Sequence, residues 1–123
     1  MVEDNVPNRE IAKDALEELG MIVDEAENGM IGVQKCIDAF SDNSRGYDII
    51  LMDIQMPVMD GYTATREIRS MLESKNLYIP IVAMTANAFA EDKRKAIEAG
   101  MDTHVPKPVN FKELMNIMIA LIR

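Results

Sequence analysis

The run Ile49-Ile50-Leu51-Met52 constrains this chain more than any other stretch. A strand apolar at every position must be covered on both faces, which is the condition of a central strand in a parallel sheet. Ile81-Val82-Ala83-Met84 repeats the pattern. Between and around these runs the sequence switches to helical periodicity, and such alternation predicts a parallel sheet with helices on both faces.

The predicted elements follow from local signals. Pro7 suits a first helical turn, Ile11, Ala12, Ala15, Leu16 and Leu19 form one apolar stripe, and Gly20 stops the helix. Met21-Ile22-Val23 begins a short strand. Gly29 to Phe40 reads as the second helix, with Val33, Cys36, Ile37 and Phe40 on one face. Ser41 to Gly46 is polar loop. After the Ile49–Met52 strand, a helix runs from about Gly61 to Glu73 using Ala64, Ile68, Met71 and Leu72. After Ile81–Met84, Ala88 to Ala99 is helical and ends at Gly100. Thr103 to Val105 is a short strand. Asn110 and Glu113 form a capping-box pattern that opens a last helix running to about Ile122. No repeat or linker interrupts residues 1–123, which read as one domain. The first strand is nearly missing, with only Met1 and Val2 ahead of Glu3.

Composition sets the outer limits. At 123 residues and 48% hydrophobic, the chain can bury a core. Its net charge of −8 argues against a nucleic-acid surface and favours a divalent cation or a basic partner. The single cysteine, Cys36, allows no internal disulfide and fits a reducing, cytoplasmic compartment. No run approaches a membrane span.

The chemistry lies at the ends of the strands. Asp53 closes one apolar run and opens the loop Ile54-Gln55-Met56-Pro57-Val58-Met59-Asp60-Gly61. Glu3-Asp4 follows Met1-Val2, Thr85 follows Met84, and Lys107 follows Val105-Pro106. Taken singly, each has a plainer reading: a helix-terminal acid, a turn residue, a solvated lysine. Together they stand where open α/β sheets bind ligands, outside the carboxyl ends of strands. In a 2-1-3-4-5 strand order the crevice lies between Glu3-Asp4 and Asp53. Gathered carboxylates repel by up to about 4 kcal/mol per close pair at an effective dielectric of ~20, and a hard divalent cation removes that cost. Oxygen-only ligands favour Mg²⁺ over Zn²⁺. A carboxylate beside Mg²⁺ is a competent nucleophile toward a phosphoryl group, with Thr85 and Lys107 as donors to its oxygens.

With these residues in view, the chain resembles the receiver domains of two-component response regulators. Glu3-Asp4-Asn5, Met52 to Gly61, Thr85-Ala86-Asn87-Ala88 and Lys107-Pro108 match that family's landmarks in order and spacing. Ala64 to Arg69 and Ala99 to Asp102 are most similar to receivers attached to hybrid sensor histidine kinases. The resemblance implies a flavodoxin-like, doubly wound, five-stranded parallel sheet with five helices. It implies Asp53 as phosphoacceptor and Mg²⁺ on Glu3, Asp4, Asp53 and the backbone carbonyl of Gln55. It implies Thr85 and Lys107 on the phosphoryl oxygens, a cis Lys107–Pro108 peptide, and Gln55 and Asn87 tuning the phosphoryl lifetime. The donor would be a phosphohistidine on a histidine kinase or histidine phosphotransfer domain. The switch would pull Thr85 inward and change the surface of the fourth helix, fifth strand and fifth helix. It would be a signalling switch rather than an enzyme, with no nucleic acid or membrane bound by this domain itself.

Two departures stand out. His104 occupies the switch position where the family often has Tyr or Phe. The short first strand predicts weakened stability or an exchanged dimer. The last helix is apolar around much of its circumference, from Met115 to Ile122, and predicts a partner surface or a homodimer contact. Two rivals remain: an interaction module independent of phosphorylation, and a phosphatase of the haloacid dehalogenase type. The latter needs an acid two residues after the nucleophile, where this chain has Gln55.

Overall fold

Three parallel strands carry the centre of the molecule: β1 (Ile50–Asp53), β2 (Ile81–Thr85) and β3 (Thr103–Pro106), in the order β1-β2-β3. The structure is a computed structural model. It describes residues 1–41, 46–56, 58–86 and 90–122, the side chains of 90–92 excepted. Asp53 pairs with Met84 and Thr85 with Pro106, so the three strands end together. Beyond β1 the sheet continues through single residues. Val2 bridges Met52 on one side and Ala26 on the other, both parallel. Reading across, the order is Ala26, Val2, β1, β2, β3, which is the 2-1-3-4-5 arrangement with its first two strands reduced to one bridged residue each.

The helices are α1 (Val6–Glu18), α2 (Gly29–Ala39), α3 (Gly61–Ser74), α4 (Ala90–Ala99) and α5 (Phe111–Ile122). Alternate residues of the strands serve different layers. Ile50, Met52, Ile81 and Ala83 pack with Cys36 of α2, Ile68 and Leu72 of α3 and Ala96 of α4. Leu51, Val82, Met84 and Val105 pack with Leu16 of α1 and Leu114 and Met118 of α5. All four residues of β1 and all five of β2 are buried, and this is why neither run needed a polar side. Caps set the helix starts. Asn5, Asn28, Asp60 and Asn110 each accept, through the side chain, the backbone N–H three residues on.

Several expectations change. Met21-Ile22-Val23 is not a strand; the pairing residue is Ala26, whose N–H donates to Met1 O and whose carbonyl accepts from Glu3 N. Ile22 is 98% exposed. On that side the first segment bonds through Met1 and Glu3 to Asp24 and Ala26, and local apolarity at 21–23 cannot replace a ladder partner. A slot of about 80 Å³ lies there instead, bordered by Met21, Val23, Cys36, Ile49 and Leu51. Ile37, predicted on the buried face of α2, is 41% exposed. Helix packing through Gly32 and Cys36 rotates it outward. The predicted helix from Ala88 is described from Ala90, and 88 and 89 lie outside the described residues. In α5, Leu114 and Met118 are buried while Ile119 and Ile122 are half exposed. Among the described residues, no helix is long and apolar enough to cross a membrane.

Candidate functional site

The ends of β1, β2 and β3 converge with the segment after Val2. Val2 N–H donates to Leu51 O, and Asp53 N–H donates to Val2 O at 3.0 Å, so Glu3 is carried to the end of β1. Ile54 N–H donates to Met84 O, and Lys107 N–H donates to Thr85 O at 2.8 Å. These bonds hold Glu3, Asp53, Thr85 and Lys107 on one rim. Carboxylate oxygens of Glu3, Asp4 and Asp53 lie within 4.8 Å of one another.

Lys107 closes this group. Its Nζ stands 3.0 Å from Asp53 Oδ1 and donates to Glu3 Oε1 and Oε2 at 3.2 and 3.4 Å. Glu3 is 3% exposed and Asp53 2%, so the two negative charges are shielded from water and only partly neutralised by one cation. Burial, and then Glu3 beside it, lifts the Asp53 carboxyl from 3.8 to about 6, with Lys107 pulling the other way. Burial by itself would lower Lys107, but Asp53 and Glu3 hold its ammonium above the ordinary value.

The remaining predicted residues are placed as follows. Gln55 is exposed, and its N–H donates to Asp53 Oδ1 at 3.3 Å. Thr85 is buried at the end of β2. His104 lies within β3, half-buried, paired with Ala83. Asn87 lies outside the described residues. The Lys107–Pro108 peptide is cis. A cleft of about 420 Å³ opens beside the acids, bordered by Glu3, Asn8, Ile11, Lys107, Pro108 and Phe111.

Arg9 was missed from the sequence. Its Nη1 donates to the backbone carbonyl of Glu3 at 2.9 Å, and its Nε stands 3.8 Å from Glu25 Oε1. It ties the first turn of α1 to the residue that supplies an acid to the rim. A signal was present: a cation in a helix's first turn is disfavoured by the helix dipole and calls for some other partner.

The donor set suits a hard divalent cation. Oxygens on an octahedral Mg²⁺, at about 2.1 Å from it, stand about 3 Å apart when adjacent and about 4 Å when opposite. The three carboxylates therefore need only a small closure. No thiol or imidazole belongs to the group, which disfavours Zn²⁺.

A doubly wound parallel sheet with acids gathered at adjacent strand ends, and a lysine against them, defines a class of carboxylate-centred α/β domains. The model of the response regulator receiver domain matches residues 1–119, and the chain belongs to that family. It is 38% identical over 121 residues to histidine protein kinase 1 of Candida albicans, covering 96% of this chain and 5% of that kinase. The chain thus spans a small part of this relative. Among solved structures, it is similar to the receiver domain of the sensor histidine kinase PA1611 of Pseudomonas aeruginosa, solved with a magnesium ion in its active-site cleft. That pair shares 38% identity at a TM-score of 0.83, covering 98% of this chain and 93% of the other. It is similar also to the receiver domain of the Saccharomyces cerevisiae response regulator Ssk1, solved with the histidine phosphotransfer protein Ypd1. There the identity is 30% and the TM-score 0.87, covering 98% of this chain and 84% of the other.

Proposed function

We propose that residues 1–123 form one receiver domain that accepts a phosphoryl group on Asp53 from a phosphohistidine and relays the event through its surface. The observation that carries this reading is Lys107 Nζ held 3.0 Å from Asp53 Oδ1 and 3.2 Å from Glu3 Oε1 on one buried rim. Glu3, Asp4, Asp53 and the Gln55 carbonyl would hold Mg²⁺, which when bound supplies positive charge to the phosphoryl oxygens. An Asp53 carboxylate oxygen attacks phosphorus and forms the acyl phosphate bond. The bond from phosphorus to the imidazole nitrogen breaks, and its electron pair stays on the imidazole, which takes up a proton.

The chain's own residues do the rest. Burial raises the free energy of the Asp53 anion, and the acyl phosphate that replaces it carries still more negative charge, so its oxygens need Lys107 and a bound cation as counter-charges. Lys107 keeps its proton and can turn from Asp53 and Glu3 to the incoming oxygens, while Thr85 offers a hydroxyl from the end of the neighbouring strand. The cleft beside Lys107 and Phe111 leaves a route for a partner's side chain. A histidine kinase or histidine phosphotransfer domain is the partner this chemistry calls for, and the Ssk1–Ypd1 complex of a similar receiver supports the choice. Gln55 and Asn87 would set the lifetime of the phosphoryl group, and α4, β3 and α5 the surface that changes. A shift from 1:99 to 99:1 needs about 5.5 kcal/mol of differential interaction, which two or three charge-assisted bonds can supply. This is one-turnover signalling chemistry, not an enzyme's cycle.

The test is incubation with acetyl phosphate and Mg²⁺ followed by intact mass. A single phosphoryl adduct, absent from Asp53→Asn, is expected. An unmodified wild-type protein that still binds its partners would favour the interaction-module reading instead.

A further inference from the structure

Resting on the reading that the acids hold Mg²⁺, we propose that Gly29 is a positioning residue for that metal, acting through the loop after Asp53. Gly29 opens α2 and is buried. A Cβ at this position would stand 2.5 Å from the backbone oxygen of Met59, 3.1 Å from Met59 Cβ and 3.2 Å from Ala64 Cβ. The first distance is below the 3.0 Å that Cβ atoms essentially never cross, and the obstacle is main chain rather than a flexible tip. Helix propensity alone would favour alanine here. The glycine therefore answers to the loop, not to the helix.

That loop has little slack. Gly61 N–H donates to Ile54 O at 2.9 Å, and a Cβ on Gly61 would stand 2.3 Å from Asp53 O. Val58, between them, already holds a left-handed φ of 71°. A push on the Met59 carbonyl is thus passed through Gly61 to Ile54 and Asp53. Outward movement of α2 would lift it off Val2. One turn along, a Cβ on Gly32 would stand 2.7 Å from Val2 Cγ2, which measures how closely α2 lies on Val2. Val2 accepts from Asp53 N and precedes Glu3. Either the loop or the helix must give, and each leads to a proposed Mg²⁺ ligand.

Calorimetric titration of Mg²⁺ into wild type, Gly29→Ala and Gly20→Ala tests this. Gly20 has φ +91° and nothing within 4 Å of an added Cβ, so Gly20→Ala strains the backbone far from the loop. Gly29→Ala should weaken Mg²⁺ binding by about tenfold, the low end for residues that orient metal ligands. Gly20→Ala should lose stability yet keep wild-type affinity. Both titrations are repeated in a stabilising osmolyte, which offsets lost stability and keeps a folded protein available without altering the loop. Wild-type affinity in Gly29→Ala, or an equal fall in Gly20→Ala, overturns the proposal. If wild type itself takes up no Mg²⁺, the metal-site reading fails, and this inference fails with it.

Discussion

Replacing Asp53 by asparagine should make the metal-free protein more stable, although it removes an ion pair with Lys107. A carboxyl whose folded value is about 6 against an ordinary 3.8 is a burden once ionised. At about 1.4 kcal/mol for each tenfold change, the burden is about 3 kcal/mol at neutral pH. Asparagine copies the neutral carboxyl in shape, leaves Lys107 on Glu3, and should recover about 2 kcal/mol or more. The pH dependence has a definite sign. The folded state keeps this proton to higher pH than the unfolded chain does, so it binds more protons between about pH 4 and pH 6. The contribution of Asp53 to stability therefore falls as pH rises through that window and stays low above it. Urea unfolding followed by circular dichroism, in chelator, at several pH values, measures both effects. Wild type and variant should be close near pH 4 and diverge toward neutrality. Saturating Mg²⁺ should then close the gap, because it binds only the wild-type folded state with effect, and ligand at a hundredfold over Kd contributes about 2.7 kcal/mol. A variant no more stable than wild type in chelator at neutral pH, or one with the same pH slope, would refute the claim that the rim is electrostatically overcrowded.

Three further outcomes are expected. Val58 is 75% exposed with φ 71°, a conformation costly to a β-branched residue, so Val58→Asn should raise stability by about 1 kcal/mol in the same unfolding assay. Thr65 is fully buried, and its Oγ1 has no partner among the described residues; Thr65→Val should be neutral to about 1 kcal/mol stabilising, read as a shift in the urea midpoint at constant slope. Arg69 donates to Gly100 O, Ile79 O and Asp102 Oδ2, and lies 4.6 Å from the centre of the Tyr78 ring. Arg69→Ala should cost about 3–5 kcal/mol by leaving Asp102 with only backbone donors, and Arg69→Lys should recover less than half of that because an ammonium cannot make the fork.

Much of the framework could be read in advance because its causes are local. Strands apolar on both faces, asparagine and aspartate caps and glycine stops each depend on a few adjacent residues. So did the placing of Asp53, Thr85 and Lys107 at strand ends. Pairing was less legible. Met21-Ile22-Val23 has the composition of a strand, but a strand exists only where a neighbour offers hydrogen bonds, and those of Met1 and Glu3 go to Asp24 and Ala26.

By itself, then, the amino-acid order determined the layered α/β class and which side chains stand at the carboxyl rim. Only the folded arrangement decided that Lys107 bridges Glu3 and Asp53, that Arg9 anchors Glu3, and that Gly29 meets the Met59 carbonyl. These contacts join segments up to 104 residues apart. Local propensity carries no information about them, because they arise when the crossovers set the strand order and bring distant turns to the same edge.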